Sequence, residues 1–214
     1  MSTKKNGKFF IVAVLLLCFT NACKSRYDTT ELENNFSKSE IVALHKITQF
    51  YKNQICADNE ADFKSCYEKI PHDSLMAQGT PYWSQIDFQK QQVLYQNLLD
   101  TTQKEIWTFC KTIDRKTQLA YASICPAYDG RYQKYLLEFG LRNPYVAHYV
   151  DQLQKSGDFN MLALNVKAIA LGDHPLDLKD PNIQLIMAIH FLSLNDQEKR
   201  SELFSENKMN NTSL

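Results

Sequence analysis

The chain has 214 residues, and its 24 basic and 24 acidic side chains cancel to a formal charge of zero. That balance offers no basic surplus for nucleic acid. With 44% hydrophobic residues, six Gly and six Pro, the composition also excludes a disordered or low-complexity chain. The first segment is an address, not a fold element. Lys4, Lys5 and Lys8 precede an apolar run over 9–19, and Thr20-Asn21-Ala22-Cys23 follows. A basic start, a short apolar run and a small residue before a cut make a secretory signal. The eleven apolar residues span roughly 16 Å as helix, too little for a hydrocarbon core about 30 Å thick. Residues 1–22 are expected to be removed after export by the general secretory route. That leaves 21 basic against 24 acidic residues.

The Ala22-Cys23 junction resembles the lipobox of bacterial lipoproteins, among them envelope lipoproteins of the Bacteroidota. Thr20 and Asn21 stand where the usual pattern has Leu and Ala or Ser. The resemblance implies a diacylglyceryl thioether on Cys23, which becomes the N-terminus and anchors the chain to a membrane. Lys24 does not resemble the Asp inner-membrane retention signal of enterobacterial lipoproteins, which favours the outer membrane. Plain cleavage after Ala22, releasing a secreted protein, is the alternative. Cysteine parity separates the two. Cys23, Cys56, Cys66, Cys110 and Cys125 remain after the cut, and an odd thiol is a liability in an oxidising compartment. Lipidating Cys23 leaves four. No C-x-x-C occurs, and the spacings of ten and fifteen residues favour local disulfides Cys56–Cys66 and Cys110–Cys125.

Residues 23–38 are polar and read as a lipidated N-terminus with a flexible tether. Ser37 or Ser39 can cap a helix whose apolar residues recur to about Cys56. Asp58, Glu60 and Asp62 resemble the start of a calcium loop, but Phe63 and Lys69 occupy the places that need Gly and Glu. The acids read as a helix N-terminus facing its dipole. A short helix over 63–70 stops at Pro71, and 71–84 is a loop with room for one helical turn. A helix is expected over 86–99. Another, capped by Thr101 or Thr102, is expected to run through Ile106, Trp107, Phe109, Cys110 and Ile113. Residues 117–126 fit a short extended piece or a ragged helix. Tyr128, Tyr132, Tyr135 and Phe139 then share one helical face. Asn143-Pro144 restarts a helix, Gly157 breaks it, and another spans 159–171. Asp180-Pro181 opens a helix apolar nearly all round, expected at the centre of the core. Asn195-Asp196 reads as the cap of a last short helix to about Phe204, before a disordered tail over 205–214.

These elements predict an all-α fold, an irregular multi-helix bundle with helical-hairpin character in the C-terminal half. One domain is expected over 39–204. No nucleophile, phosphate-loop or zinc motif is present, so no cofactor and no metal are expected. His148 and Asp151 share a helix face without the further ligands a metal needs, and His190 among apolar residues reads as a core histidine.

Two functions stay open. The first is an envelope-anchored lipoprotein that binds a protein or glycan partner without catalysis, through Tyr128, Tyr132, Tyr135, Tyr145 and Tyr149. Aromatic surfaces with nearby Arg are enriched at interfaces, although a stripe at helical spacing is more commonly core. The second is a lipid-anchored cell-wall hydrolase using a buried carboxylate, with Glu105 and Glu138 as the acids that have apolar neighbours. Cys23→Ser is expected to abolish incorporation of labelled lipid and to move the protein from membranes to the soluble fraction. Unchanged membrane partitioning would contradict the anchor.

Overall fold

The computed structural model describes residues 27–56, 62–114, 117–160, 164 and 176–212. The signal segment, Cys23, Lys24, Asp58, Glu60, His174 and most of the helix expected over 159–171 lie outside the described residues. The elements, in order, are α1 (Thr30–Asn35), α2 (Lys38–Ile55), α3 (Phe63–Lys69), α4 (His72–Ala77), a 3-10 turn (Tyr82–Gln85), α5 (Phe88–Gln96) and α6 (Asp100–Ile106). Strands β1 (Trp107–Ile113) and β2 (Ala120–Pro126) follow, then α7 (Arg131–Gly140), α8 (Pro144–Ser156) and α9 (Pro181–Thr212).

The fold is mostly helical but not purely so, because 107–113 is a strand. Trp107, Thr108, Phe109, Thr112 and Ile113 are aromatic or β-branched, types that suit an extended, half-covered surface. Their apolar spacing fits a helix too, and pairing decides. β1 runs antiparallel to β2, with Trp107 opposite Pro126 and Ile113 opposite Ala120. The Cys110–Cys125 disulfide ties the strands diagonally. Of the two readings of 117–126, the extended one therefore holds for β2. The helix before β1 is short and starts at Asp100, with Leu99 in the cap position. Neither Thr101 nor Thr102 caps it, and Thr102 is buried instead.

The core forms around α9. Ile183, Leu185, Ile186, Met187, Ala188, Ile189, Phe191, Leu192 and Leu194 are all buried, because α2, α5, β2 and the 3-10 turn surround the helix. Its buried polar side chains reach four different elements. Asn182 accepts from the Tyr135 hydroxyl on α7 at 3.2 Å. His190 Nδ1 meets the Tyr149 hydroxyl on α8 at 3.2 Å. Ser193 Oγ accepts from Trp107 Nε1 on β1 at 2.7 Å. Asn195 donates to Gln91 Oε1 on α5 at 2.7 Å, and Asp196 accepts from Gln92 Nε2 at 2.8 Å. These partners explain why Asn195-Asp196 does not break the helix as expected. The Asn195 amide N–H and the Asp196 carboxylate are engaged across the core, so neither side chain caps a new helix at its own backbone. α9 runs on unbroken to Thr212, where a frayed tail was expected.

A second correction concerns the N-terminus. Residues 27–36 are packed onto the body and do not form a tether. Leu32 and Phe36 are buried. Arg142 holds both Glu31 carboxylate oxygens, at 2.6 and 2.9 Å, and the Asp28 carbonyl at 2.9 Å. Asn182 Nδ2 donates to the same carbonyl. Ser37 then caps α2 in a reciprocal capping box with Glu40.

Glu40 also anchors α7. Arg131 grips both Glu40 oxygens, at 2.5 and 3.0 Å, and reaches Glu105 at 3.1 Å. Gly130 permits this approach, since a Cβ there would sit 2.2 Å from the Glu105 carbonyl oxygen. α7 and α8 pack as a hairpin, and Gly157 ends α8 at φ +66°, a left-handed position that suits glycine. The Cys56–Cys66 disulfide joins α2 to α3. Beneath it the hydroxyls of Tyr51 and Tyr67 lie 3.0 and 3.2 Å from that of Tyr82, all buried among rings.

His190 and Glu40 make this fold acid-labile in two overlapping windows. Burial holds the His190 imidazole down at about 3, from an ordinary 6.5. The unfolded chain therefore takes up that proton first, and stability falls as pH drops below 6.5. The Arg131 guanidinium, against the cost of burial and aided by Ser37, holds Glu40 at about 2, from an ordinary 4.5. Its contribution is complete above 4.5 and is lost as pH falls towards 2. Melting temperature is expected to fall through both windows, and His190→Gln should shrink the fall that begins at 6.5 to the share left by His72, whose imidazole burial also holds low, while leaving the Glu40 loss below 4.5. A wild-type melting temperature that is flat across the upper window would contradict the burial of a neutral His190.

Candidate functional site

The tyrosines expected to form a binding face do not form one. Tyr132, Tyr135 and Tyr149 are fully buried. α7 starts at Arg131, so its apolar stripe turns inward, while Tyr128 stands outside the helical period and is 72% exposed. Tyr145 is half-buried against the core. Burial keeps the hydroxyls of Tyr132, Tyr135 and Tyr149 neutral, well above the ordinary tyrosine value.

The two candidate acids serve structure. Glu105 Oε2 accepts the Arg131 backbone N–H at 2.6 Å, and Oε1 meets the guanidinium. It thus caps α7 from another element, which a sequence neighbour's polarity could not reveal. Glu138 accepts from Asn35 Nδ2 at 2.8 Å and lies 4.0 Å from Lys134 Nζ. His148 is exposed, and Asp151 pairs with Lys155 instead. Among the described residues no group of His, Cys, Asp and Glu could hold a metal ion. No described helix is long and apolar enough to cross a membrane.

The concave site lies elsewhere, where α5, α6 and β1 meet the middle of α9. It is a groove of about 620 Å³, within the range of small-ligand sites. Its floor is aromatic. The Tyr95 and Trp107 rings touch at 4.9 Å, and Trp107 is fixed by its hydrogen bond to Ser193. Phe109 stands beside them, 72% exposed, with the Arg200 guanidinium 5.3 Å from its ring centre. Such a cation over a ring face is attractive and orients both partners.

The rim is polar. Gln92, Gln96, Gln103, Asp100, Lys104 and Arg200 line it. Several of these side chains are held in place. Arg200 binds the buried Asp196, which also takes the Gln92 amide. The Gln103 amide donates to the Tyr95 carbonyl. Tyr95 accepts from Gln91 at 2.8 Å, and burial together with the Asp196 charge pushes its hydroxyl well above the ordinary value. The groove therefore offers ring faces, amide oxygens, the cations Lys104 and Arg200 and the acid Asp100 at its open edge, with Arg200 already paired to Asp196. It offers no activated nucleophile among the residues that line it.

None of these groove residues stood out in the sequence. Gln92 and Gln96, at i and i+4 beside Tyr95, were the available signal. Reading 107–113 as helix hid the juxtaposition, because only a strand carries Phe109 past α5. Comparison with protein-family models, curated proteins and solved structures finds no match to the chain.

Burial separates the tyrosines energetically. Tyr132→Ala is expected to cost about 3–5 kcal/mol, as for other large core aromatics, and Tyr128→Ala no more than about 0.5 kcal/mol. Urea titration of both variants checks this, and equal losses would contradict the inward orientation of α7.

Proposed function

We propose that this chain is an envelope-anchored lipoprotein, held at the outer membrane by a lipid on Cys23. Its helical domain binds a glycan in the groove between α5, α6 and β1. The observation that carries the reading is the groove itself, an aromatic floor ringed by three glutamines, two cations and one acid. Ring faces stack on the apolar faces of sugars, and amides both donate to and accept from hydroxyls. With Arg200 paired to Asp196 and Asp100 offsetting Lys104, a ligand rich in hydroxyls and without net charge suits that lining better than a phosphate or a nucleic acid would. The signal layout over residues 1–23 and the pairing of the other four mature cysteines support the anchor.

A protein partner is favoured by a different observation. Phe109, Ile113 and Leu119 are exposed along the hairpin, where apolar side chains would suit a second protein surface. The hydrolase reading loses its named acids, since Glu105 and Glu138 are engaged by Arg131, Asn35 and Lys134.

The mature protein in detergent, tested against an array of bacterial envelope oligosaccharides, is expected to bind a subset. Phe109→Ala should weaken that binding roughly tenfold, the equivalent of one good aromatic contact. Because Phe109 is largely exposed, its melting temperature should barely change. Absence of binding to every glycan, with Phe109→Ala instead abolishing capture of a specific envelope protein, would move the assignment to the protein reading. Turnover of purified peptidoglycan would move it to the hydrolase.

A further inference from the structure

The docking of residues 27–36 constrains how the domain meets a membrane. Asp28 and Glu31 are held by Arg142 at 2.6–2.9 Å, and Tyr27 donates to Asp177 at 2.7 Å. Tyr27, the first described residue and one already docked, therefore lies four residues after Cys23. Four residues reach at most about 14 Å when fully extended. A lipid on Cys23 leaves the domain no long tether. The face that carries Asp28 and Arg142 must lie against the headgroups.

That face has an apolar feature of its own. Leu141, next to Arg142 in the turn between α7 and α8, is 90% exposed, more than any other large hydrophobic side chain among the described residues. Leu137, 47% exposed, lies one turn earlier at i−4, and Lys134, with its side chain 67% exposed, lies at i−7. Leu141 keeps helical backbone angles, φ −60° and ψ −29°, so the three side chains share one face. Isolated exposed leucines are ordinary. These two are set apart by their place within reach of the anchor and by a long cationic side chain beside them that can extend to the headgroups.

Resting on the anchored reading above, we propose that the Lys134–Leu137–Leu141 face of α7 is a membrane-seating surface. Leu137 and Leu141 enter the boundary between headgroups and acyl chains of the leaflet that holds the Cys23 lipid. Lys134 lies at the level of the phosphates. Two leucines bind a bilayer weakly by themselves. The anchor makes the contact intramolecular, so a weak surface suffices. The seating fixes the domain's orientation, which a flexible tether could not do.

Tryptophan fluorescence tests this on the full lipidated protein reconstituted in phosphatidylcholine vesicles brominated near the top of the acyl chain. The native Trp83 and Trp107 are buried and supply a constant background. Leu141→Trp is expected to show a blue-shifted emission that the brominated lipid largely quenches. Ile113→Trp, on the hairpin that packs chiefly on α9, is expected to keep its emission. Adding Cys23→Ser to Leu141→Trp should abolish the quenching. If the protein floats with the vesicles while Trp at 141 stays unquenched, or if both positions are quenched alike, the seating surface is wrong and the anchor stands. If the lipid-bearing protein does not float with vesicles at all, the anchor fails and the seating with it.

Discussion

A helix buried on every side has no solvent face to fix its rotation, and apolar contacts alone would let it slide. Over residues 182–196, the buried part of α9, that freedom is removed by hydrogen bonds from buried polar side chains. Asn182, His190, Ser193, Asn195 and Asp196 reach α7, α8, β1 and α5, so a shift of one residue would break several of them together. Each is made away from water, where an unmet partner costs about 1–3 kcal/mol. The register of α9 thereby sets the positions of the surrounding elements. A polar network of this kind contributes to uniqueness more than to net stability.

The groove depends on the same ladder. Ser193 holds the Trp107 indole from behind, and Asp196 holds both Gln92 and Arg200, which in turn covers Phe109. Three elements distant in sequence therefore present one prearranged surface, and a ligand would not have to order it on binding. The junction of α1, α2 and α6 with α7 is built on charge. Arg131 and Arg142 clamp Glu40, Glu105 and Glu31, and so fasten α1 and α2 to α7. The start of the described chain lies against Arg142, so the proposed anchor and the proposed ligand site fall on different elements.

Much of this was legible in residue types that act locally. Ser37 with Glu40, Asn143 with Pro144, Gly157, and Asp180 with Pro181 mark helix ends because their own backbones need them there. The two near cysteine pairs marked the disulfides. The long apolar run after Pro181 marked the centre of the core. What failed was decided by distant partners. Trp107, Phe109 and Ile113 satisfy both a helical and an extended period, and only pairing with β2 chooses between them. Asn195 and Asp196 have the chemistry of a helix cap until Gln91 and Gln92 take up their side chains. The polar segment before Ser37 looks free because its binding residue, Arg142, lies over a hundred positions away. The tyrosine stripe was visible, but an amphipathic period says which residues share a face and not which way that face turns. The groove was invisible, since it draws on α5, α6, β1 and α9 at once.

Amide hydrogen exchange of the mature protein, with and without solubilised envelope glycan, tests the ligand's location most directly. A glycan seated on Trp107 and Phe109 predicts slowed exchange confined to α5, α6, β1 and the turn of α9 around Arg200, with α7 and α8 unchanged. Slowing centred on residues 128–149, or none anywhere at saturating glycan, would contradict the assignment of the groove as the binding site.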